Sequence, residues 1–401
     1  MAAEKEPQPL PPWSALPLDL AILVVRLLPT YADRARFAAV CPQWRAAARQ
    51  LLPTPLPLLA LPDGTFYSFP YTKTFRFPGH GFAGYQSACG KWLVFPRENG
   101  CFLVDPFSRA TVTLPALSCV RLQPPNAVAK WSYLGRLKFP DPYATWMHIS
   151  GSEKLHISKI ILCSPNHVAA LVGIGYISQI LMCQPGASAW SVRAYDQCKR
   201  FEDMAFYQGK LYAIAKDENL LVVNISEEHS PRDPQVSKIE RVINRDPWYP
   251  AVFDKTIPRK KIYLVESCGA LLMVRRTIWC QVPETGVIGE IVAGQSVFEV
   301  FEADFEHSRW VKASTVGDDQ VLFLGRRCSR AMSVSEYGFS GDLIFFLDDD
   351  EQYRVEFRYN EENTSFSVYD MKSGTTRTAR PKISWKRCDE MRLAAWLFPQ
   401  D

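Results

Sequence analysis

Between Leu20 and Leu28 apolar side chains recur at 20, 23, 24, 27 and 28, the i, i+3, i+4, i+7, i+8 spacing of one helix face. Ile22 and Val25 lie off that face, so more than one side of this helix is apolar. Pro17 suits a first helical turn, where its missing N–H has no intrahelical partner, and Pro29 stops the helix. Thr30 and Asp33 then give the capping spacing of a second helix. Phe37, Val40, Cys41 and Trp44 keep helical spacing, but Pro42 interrupts it. The pattern therefore predicts two helices meeting at Cys41–Pro42, with the third running to Leu52 and ending at Pro53. Three helices within residues 14–52 bury little surface, so such a unit is expected to dock on something.

Beyond a proline-rich connector at 53–57 the pattern changes to strands. The segment 90–106, GKWLVFPRENGCFLVDP, is two apolar runs around Glu98-Asn99-Gly100, and Asn-Gly is a hairpin turn because both positions tolerate φ > 0. Segments 158–175, 209–225, 260–276 and 341–357 repeat the arrangement, the third of them around Cys268-Gly269. Three of these hairpins start at 158, 209 and 260, 51 residues apart, and the flanking gaps are longer. Two further segments, 180–192 and 298–313, each give a strand, a polar turn and a tryptophan opening the next strand. Roughly 50 residues per four-strand unit is a β-propeller period, in which each blade covers its neighbour's apolar face. The expected fold is mainly β: a propeller of about six blades over 58–401, with five to seven compatible with its length, preceded by a small three-helix unit.

Composition narrows the function classes. Aromatics at 12%, 30 prolines and 21 glycines suit a turn-rich β protein. A net charge of +4, with acids and bases interspersed, argues against a nucleic-acid partner. PRKK (258–261) and DDDE (348–351) read as solvated turns. Residues 1–13 are polar and proline-rich, are expected to be flexible, and lack the apolar core of a signal peptide. The longest aliphatic run, 20–25, is too short to span a membrane. Eleven cysteines without a C-x-x-C are expected to be free thiols of a cytoplasmic or nuclear protein. GHGFAG (79–84) matches G-x-G-x-x-G in letters but opens no helix, so no dinucleotide site is expected. The six histidines are scattered, with no zinc spacing, and no motif of an enzyme or cofactor is present; no catalytic residue, cofactor or metal is expected.

The helical segment resembles an F-box. The pattern Leu-Pro-x-Asp/Glu-Leu, Leu-Pro, Arg-Phe-x-x-Val-Cys-x-x-Trp-Arg is met at Leu16, Pro17, Asp19, Leu20, Leu28, Pro29, Arg36, Phe37, Val40, Cys41, Trp44 and Arg45, with Asp33 between its halves. It departs at Ala21, where a second leucine is common, and at Pro42-Gln43, where polar or basic residues are usual. The resemblance implies docking to a Skp-type adaptor, and through it to a cullin, in an SCF-type ubiquitin ligase. It assigns adaptor contact to Leu16, Pro17, Leu20, Ile22, Val24, Leu28, Val40, Cys41 and Trp44. Five arginines against two aspartates over 16–52 leave +3, which complements an acidic partner.

The propeller segments, chiefly over 261–401, resemble the KIB-type propeller domain of plant proteins, often found behind an F-box; the order of KIYLVESCGALLMVRR, FEVFEADFEHSRWVKASTVGDDQVLFLG, YGFSGDLIFFLDD and FSVYDMKSG carries the likeness. The resemblance implies a non-enzymatic substrate receptor whose propeller binds a target protein. Aromatics in the most irregular segments, 121–150, 226–250 and 276–296, are the candidate target contacts: Trp146, Trp248, Tyr249 and Trp279. Two other readings stay open: a propeller binding a small ligand, as a metabolite binder or vestigial enzyme, and a protein-binding module without ligase activity.

Overall fold

The computed structural model describes residues 13–28, 31–50, 55–68, 73–77, 81–97, 100–123, 131–134, 137–140, 156–174, 177–193, 201–226, 235–244, 256–281, 292–338, 340–347, 366–378 and 394–399. Three short helices lead: α1 (Leu18–Arg26), α2 (Tyr31–Val40) and α3 (Pro42–Ala48). The α2–α3 break falls where Pro42 predicts it, with extended Cys41 at the N-cap and Pro42 at the first position of α3. Helix α3 ends at Ala48, short of Leu52, which lies in the undescribed stretch 51–54.

Six four- or five-stranded sheets follow, with a two-stranded ribbon (Trp131–Leu134 against Leu137–Pro140) between the second and third. Blade 1 contains Leu58–Ala60, Phe66–Ser68 and Lys73–Phe75, and its innermost strand is Ala395–Leu397 from the far end of the chain. Blade 2 runs from Ser87–Cys89 to Thr111–Leu114, and blade 3 from His156–Ser164 to Trp190–Arg193, with Val120–Gln123 added parallel at its edge. Blade 4 spans Phe201–Tyr207 to Gln235–Ile243, blade 5 Thr256–Ser267 to Arg309–Ala313, and blade 6 Gln320–Leu324 to Thr375–Thr378. The innermost strands of blades 1 to 6 touch in succession around the ring, and Trp396 packs on Phe323, ring centroids 5.1 Å apart, where blade 6 meets blade 1.

The core is six separate apolar layers, one in each seam between blades. This explains why the strands read as continuous apolar runs rather than alternating ones. In His167–Ile174, Val168, Ala170 and Val172 face blade 2 while Ala169 and Leu171 face blade 4. Each seam also carries a polar staple. Tyr85 Oη donates to Ala60 O at 2.7 Å, Trp190 Nε1 to Pro115 O at 2.9 Å, and Trp396 Nε1 to Leu324 O at 3.2 Å. Lys159 Nζ of blade 3 meets Asp203 Oδ1 of blade 4 at 2.6 Å, and Asp203 Oδ2 accepts the Leu264 N–H of blade 5 at 2.8 Å. Between blades 5 and 6, the Arg276 guanidinium lies 4.3 Å from the Phe346 ring centre and donates to Leu347 O.

Two expectations change. Residues 276–296 are not one irregular insert: Ala270–Gln281 and Val292–Asp304 are long strands, and only 282–291 lies outside the described residues. The sequence reads there as surface because Arg275 and Arg276 interrupt the apolar run, yet both side chains are buried. PRKK is likewise strand, not turn: it belongs to Thr256–Ser267, and Lys260 pairs with the buried Glu218 at 3.0 Å. The second half of the fifth predicted hairpin (351–357) and DDDE (348–351) lie outside the described residues, and Leu343–Leu347 pairs instead with Phe366–Asp370.

Candidate adaptor-binding face

Helix α1 has two apolar faces. Leu18, Ala21, Ile22 and Val25 point into the three-helix unit, where Ala21, Val25, Phe37 and Ala47 are fully covered. Trp44 belongs to this interior, stacked on Phe37 at 4.3 Å, and Leu16 and Leu28 pack against it as well. On the opposite side Leu20, Leu23, Val24 and Leu27 form an i, i+3, i+4, i+7 stripe with 47%, 54%, 41% and 81% exposure. Val40 at the end of α2 is 57% exposed, and Pro17 is exposed beside the stripe. Four open aliphatics in one stripe of so short a helix, with Val40 also open, are the kind of exposed apolar surface that marks an interface.

Local hydrogen bonds hold that face in place. Gln43 Nε2 donates to Leu16 O at 2.7 Å, tying the segment before α1 to α3. The buried Arg34 donates through Nε to Leu28 O at 2.6 Å, fixing the end of α1. Cys41 Sγ accepts the Trp44 N–H at 3.5 Å as a weak N-cap. Arg26, Arg36, Arg45 and Arg49 are exposed on the unit, against exposed Asp19 and half-buried Asp33, so its surface is net basic.

Of the nine residues assigned to adaptor contact, Pro17, Leu20, Val24 and Val40 are exposed, while Leu16, Ile22, Leu28 and Trp44 pack inward and half-buried Cys41 caps α3. Leu23 and Leu27 complete the exposed stripe. Their signal was the longest helical periodicity in the segment, which reads first as a core face; small Ala21 lets α1 approach its neighbours along the other side. Of the four candidate target contacts, Trp146, Trp248 and Tyr249 lie outside the described residues. Trp279 sits half-buried in a long blade 5 strand, opposite Pro258, rather than in a loop.

The inner strands enclose a second concave surface, a cavity of 690 Å³ lined by Lys91, Trp92, Phe206, Glu266, Arg330 and Phe398 among others. The thiols in and beneath its wall are apolar filling: burial pushes Cys163 up to about 12 and raises Cys328, so neither supplies a thiolate. Among the described residues no group of three or more His, Cys, Asp or Glu side chains is placed to hold a metal ion, and no helix is long and apolar enough to cross a membrane.

Two family models match successive parts of the chain. The F-box domain family matches residues 13–55, and the KIB1-4 beta-propeller family matches residues 58–379. F-box protein SKIP23 of Arabidopsis thaliana is 21% identical over 399 residues, covering 90% of each chain. F-box protein At1g10110 of the same plant is 25% identical over 285 residues, covering 66% of this chain and 67% of its own. F-box protein At2g26160, also of Arabidopsis thaliana, is 22% identical over 349 residues, covering 84% and 96%. The chain therefore belongs to the KIB1-4 β-propeller family and, like these plant relatives, is an F-box protein.

Proposed function

We propose that this protein is a substrate receptor of an SCF-type ubiquitin ligase in the cytoplasm or nucleus. Its F-box docks on a Skp-type adaptor, and through it on a cullin, while the propeller holds the target protein. The exposed Leu20–Leu23–Val24–Leu27 stripe, on a unit matching the F-box family, carries this reading. A permanent hydrophobic interface needs such a patch, and the unit's net positive charge favours an acidic partner surface. F-box and propeller families are typically non-catalytic, and the role requires no chemistry from this chain. It works by proximity, raising the effective concentration of target lysines near the conjugating enzyme.

The test is capture of a purified Skp-type adaptor by the full chain. Leu23→Asp with Leu27→Asp places two charges in the stripe without touching the interior. Binding is expected to fall by at least about a hundredfold, because each desolvated charge costs several kcal/mol, while the melting temperature stays unchanged. Undiminished capture by that folded variant overturns the adaptor assignment.

A further inference from the structure

The described strands of blade 1 are shorter than the two central strands of its neighbour. Its strands Leu58–Ala60, Phe66–Ser68 and Lys73–Phe75 have three residues each, whereas Trp92–Arg97 and Gly100–Val104 of blade 2 have six and five. Register places Phe95 opposite Phe102 and Leu93 opposite Val104, so these four side chains share the face turned to blade 1. Leu93 is fully covered there, but Phe95, Phe102 and Val104 reach beyond the covered part and stay half-exposed. Phe77, Phe82 and Phe107 curl over the gap from neighbouring turns, with Phe77 edge-on to Phe82 at 5.8 Å and to Phe107 at 5.4 Å. What remains is an aromatic cavity of 810 Å³, with Ala35 and Arg36 of helix α2 at its edge.

Its charge is one-sided. Among the described residues, Arg36, Arg76 and Arg109 line it and no carboxylate does. Asp33 holds Arg36 at 3.0 Å and Asp63 holds Arg76 at 3.2 Å; neither acid is in the lining, so they steady the guanidiniums from outside the cavity. We infer that this cavity between blades 1 and 2, under the F-box, binds a small amphipathic acid, with a flat apolar body among the phenylalanines and a carboxylate at the arginine rim. The volume suits a drug-sized molecule, and an apolar wall with a few convergent polar groups is how such sites are built. Guanidiniums meet carboxylates in paired hydrogen bonds, and aromatic rings stack on phenylalanine. Because α2 closes one edge, an occupant also touches the F-box and the propeller together.

The test uses the full chain and three probes: 1-anilinonaphthalene-8-sulfonate, 2-naphthoate, and the uncharged 2-naphthylmethanol. Saturable binding of both anions is expected, with 2-naphthoate tighter than the alcohol. Arg76→Gln with Arg109→Gln, at exposed positions, should weaken 2-naphthoate about tenfold or more and leave the alcohol unchanged. Thr111→Trp, which plugs the cavity from its rim, should abolish all three, whereas Leu23→Asp with Leu27→Asp on the F-box should alter none. The inference is overturned if neither anion saturates below about 1 mM, if the plugged variant still binds while melting normally, or if the arginine variant loses acid and alcohol equally.

Discussion

Asp342 joins the segment leaving blade 5 to the last hairpin of blade 6. Its carboxylate accepts from Thr315 Oγ1 at 2.5 Å and from the Val316 N–H at 2.9 Å, and lies 3.4 Å from Lys372 Nζ. Burial by itself raises its pKa, but the Thr315 and Val316 hydrogen bonds and the Lys372 charge outweigh it and hold the group below the ordinary carboxylate value. A depressed folded pKa contributes stability that is fully present above the unfolded value of about 4 and is lost as pH falls through the folded one. The residue sits at φ 60°, a conformation asparagine also tolerates, so Asp342→Asn isolates the charge from the backbone. At pH 7 that variant is expected to be about 1–2 kcal/mol less stable in urea denaturation, and the gap should close as pH is lowered below about 4, through the depressed folded value. A gap independent of pH would show that the carboxylate's charge is not what holds the link.

Hairpins are the elements in which sequence and structure meet most directly. Cys268 and Gly269 have φ 50° and 77°, the paired left-handed conformation that the Cys-Gly dipeptide announced. Nothing lies within 4 Å of where a Gly269 side chain would start, so substitutions there report on backbone conformation alone. Gly269→Val should cost about 1–2 kcal/mol while Gly269→Asn stays close to neutral, read as denaturation midpoints; equal losses would mean that the turn does not hold this conformation. The same logic marks what was legible elsewhere. The hairpins at 209–225 and 260–276 announced blades 4 and 5 because strands buried on both faces are long apolar runs punctuated by turns. Blade 1 had no such signal, since its described strands, of three residues each, are shorter than any period a pattern can display. Blade 5 was cut short on paper because Arg275 and Arg276 are polar in composition yet lie against the rings of Phe301 and Phe346 in the interior. In α1 the periodicity was visible, but its direction was not: an interface stripe and a core stripe obey the same spacing, and only the packing of Ala21 and Val25 against Phe37 and Ala47 decides between them.

At the scale of the whole molecule, one short strand turns six sheets into a closed ring. Ala395–Leu397 pairs with Leu58–Ala60, and the Phe398 N–H donates to Gly90 O of blade 2 at 2.9 Å, so the chain's last described residues touch three blades. Trp396 is 1% exposed and packs on Phe323 and Phe366, while Leu397 and Ala395 fill the other seam against Leu58, Phe66 and Tyr85. Removing residues 394–401 would bare the Leu58–Ala60 edge, open two of the six apolar layers at once and leave blades 6 and 2 each facing water. A repeat array without closure loses cooperativity from its ends, so this truncation of the full chain is expected to replace one sharp thermal transition with a broad one at lower temperature, and to aggregate. The single change Trp396→Ala keeps the strand and should cost about 3–5 kcal/mol while preserving one transition. If the truncated chain melted as sharply and as high as the intact one, the ring would owe its integrity to the seams between consecutive blades alone. Closure also bears on the proposed role. A receptor that works by proximity needs its target held at a fixed distance from the adaptor, and a ring locked by its own terminal strand supplies a frame that one small helical unit could not.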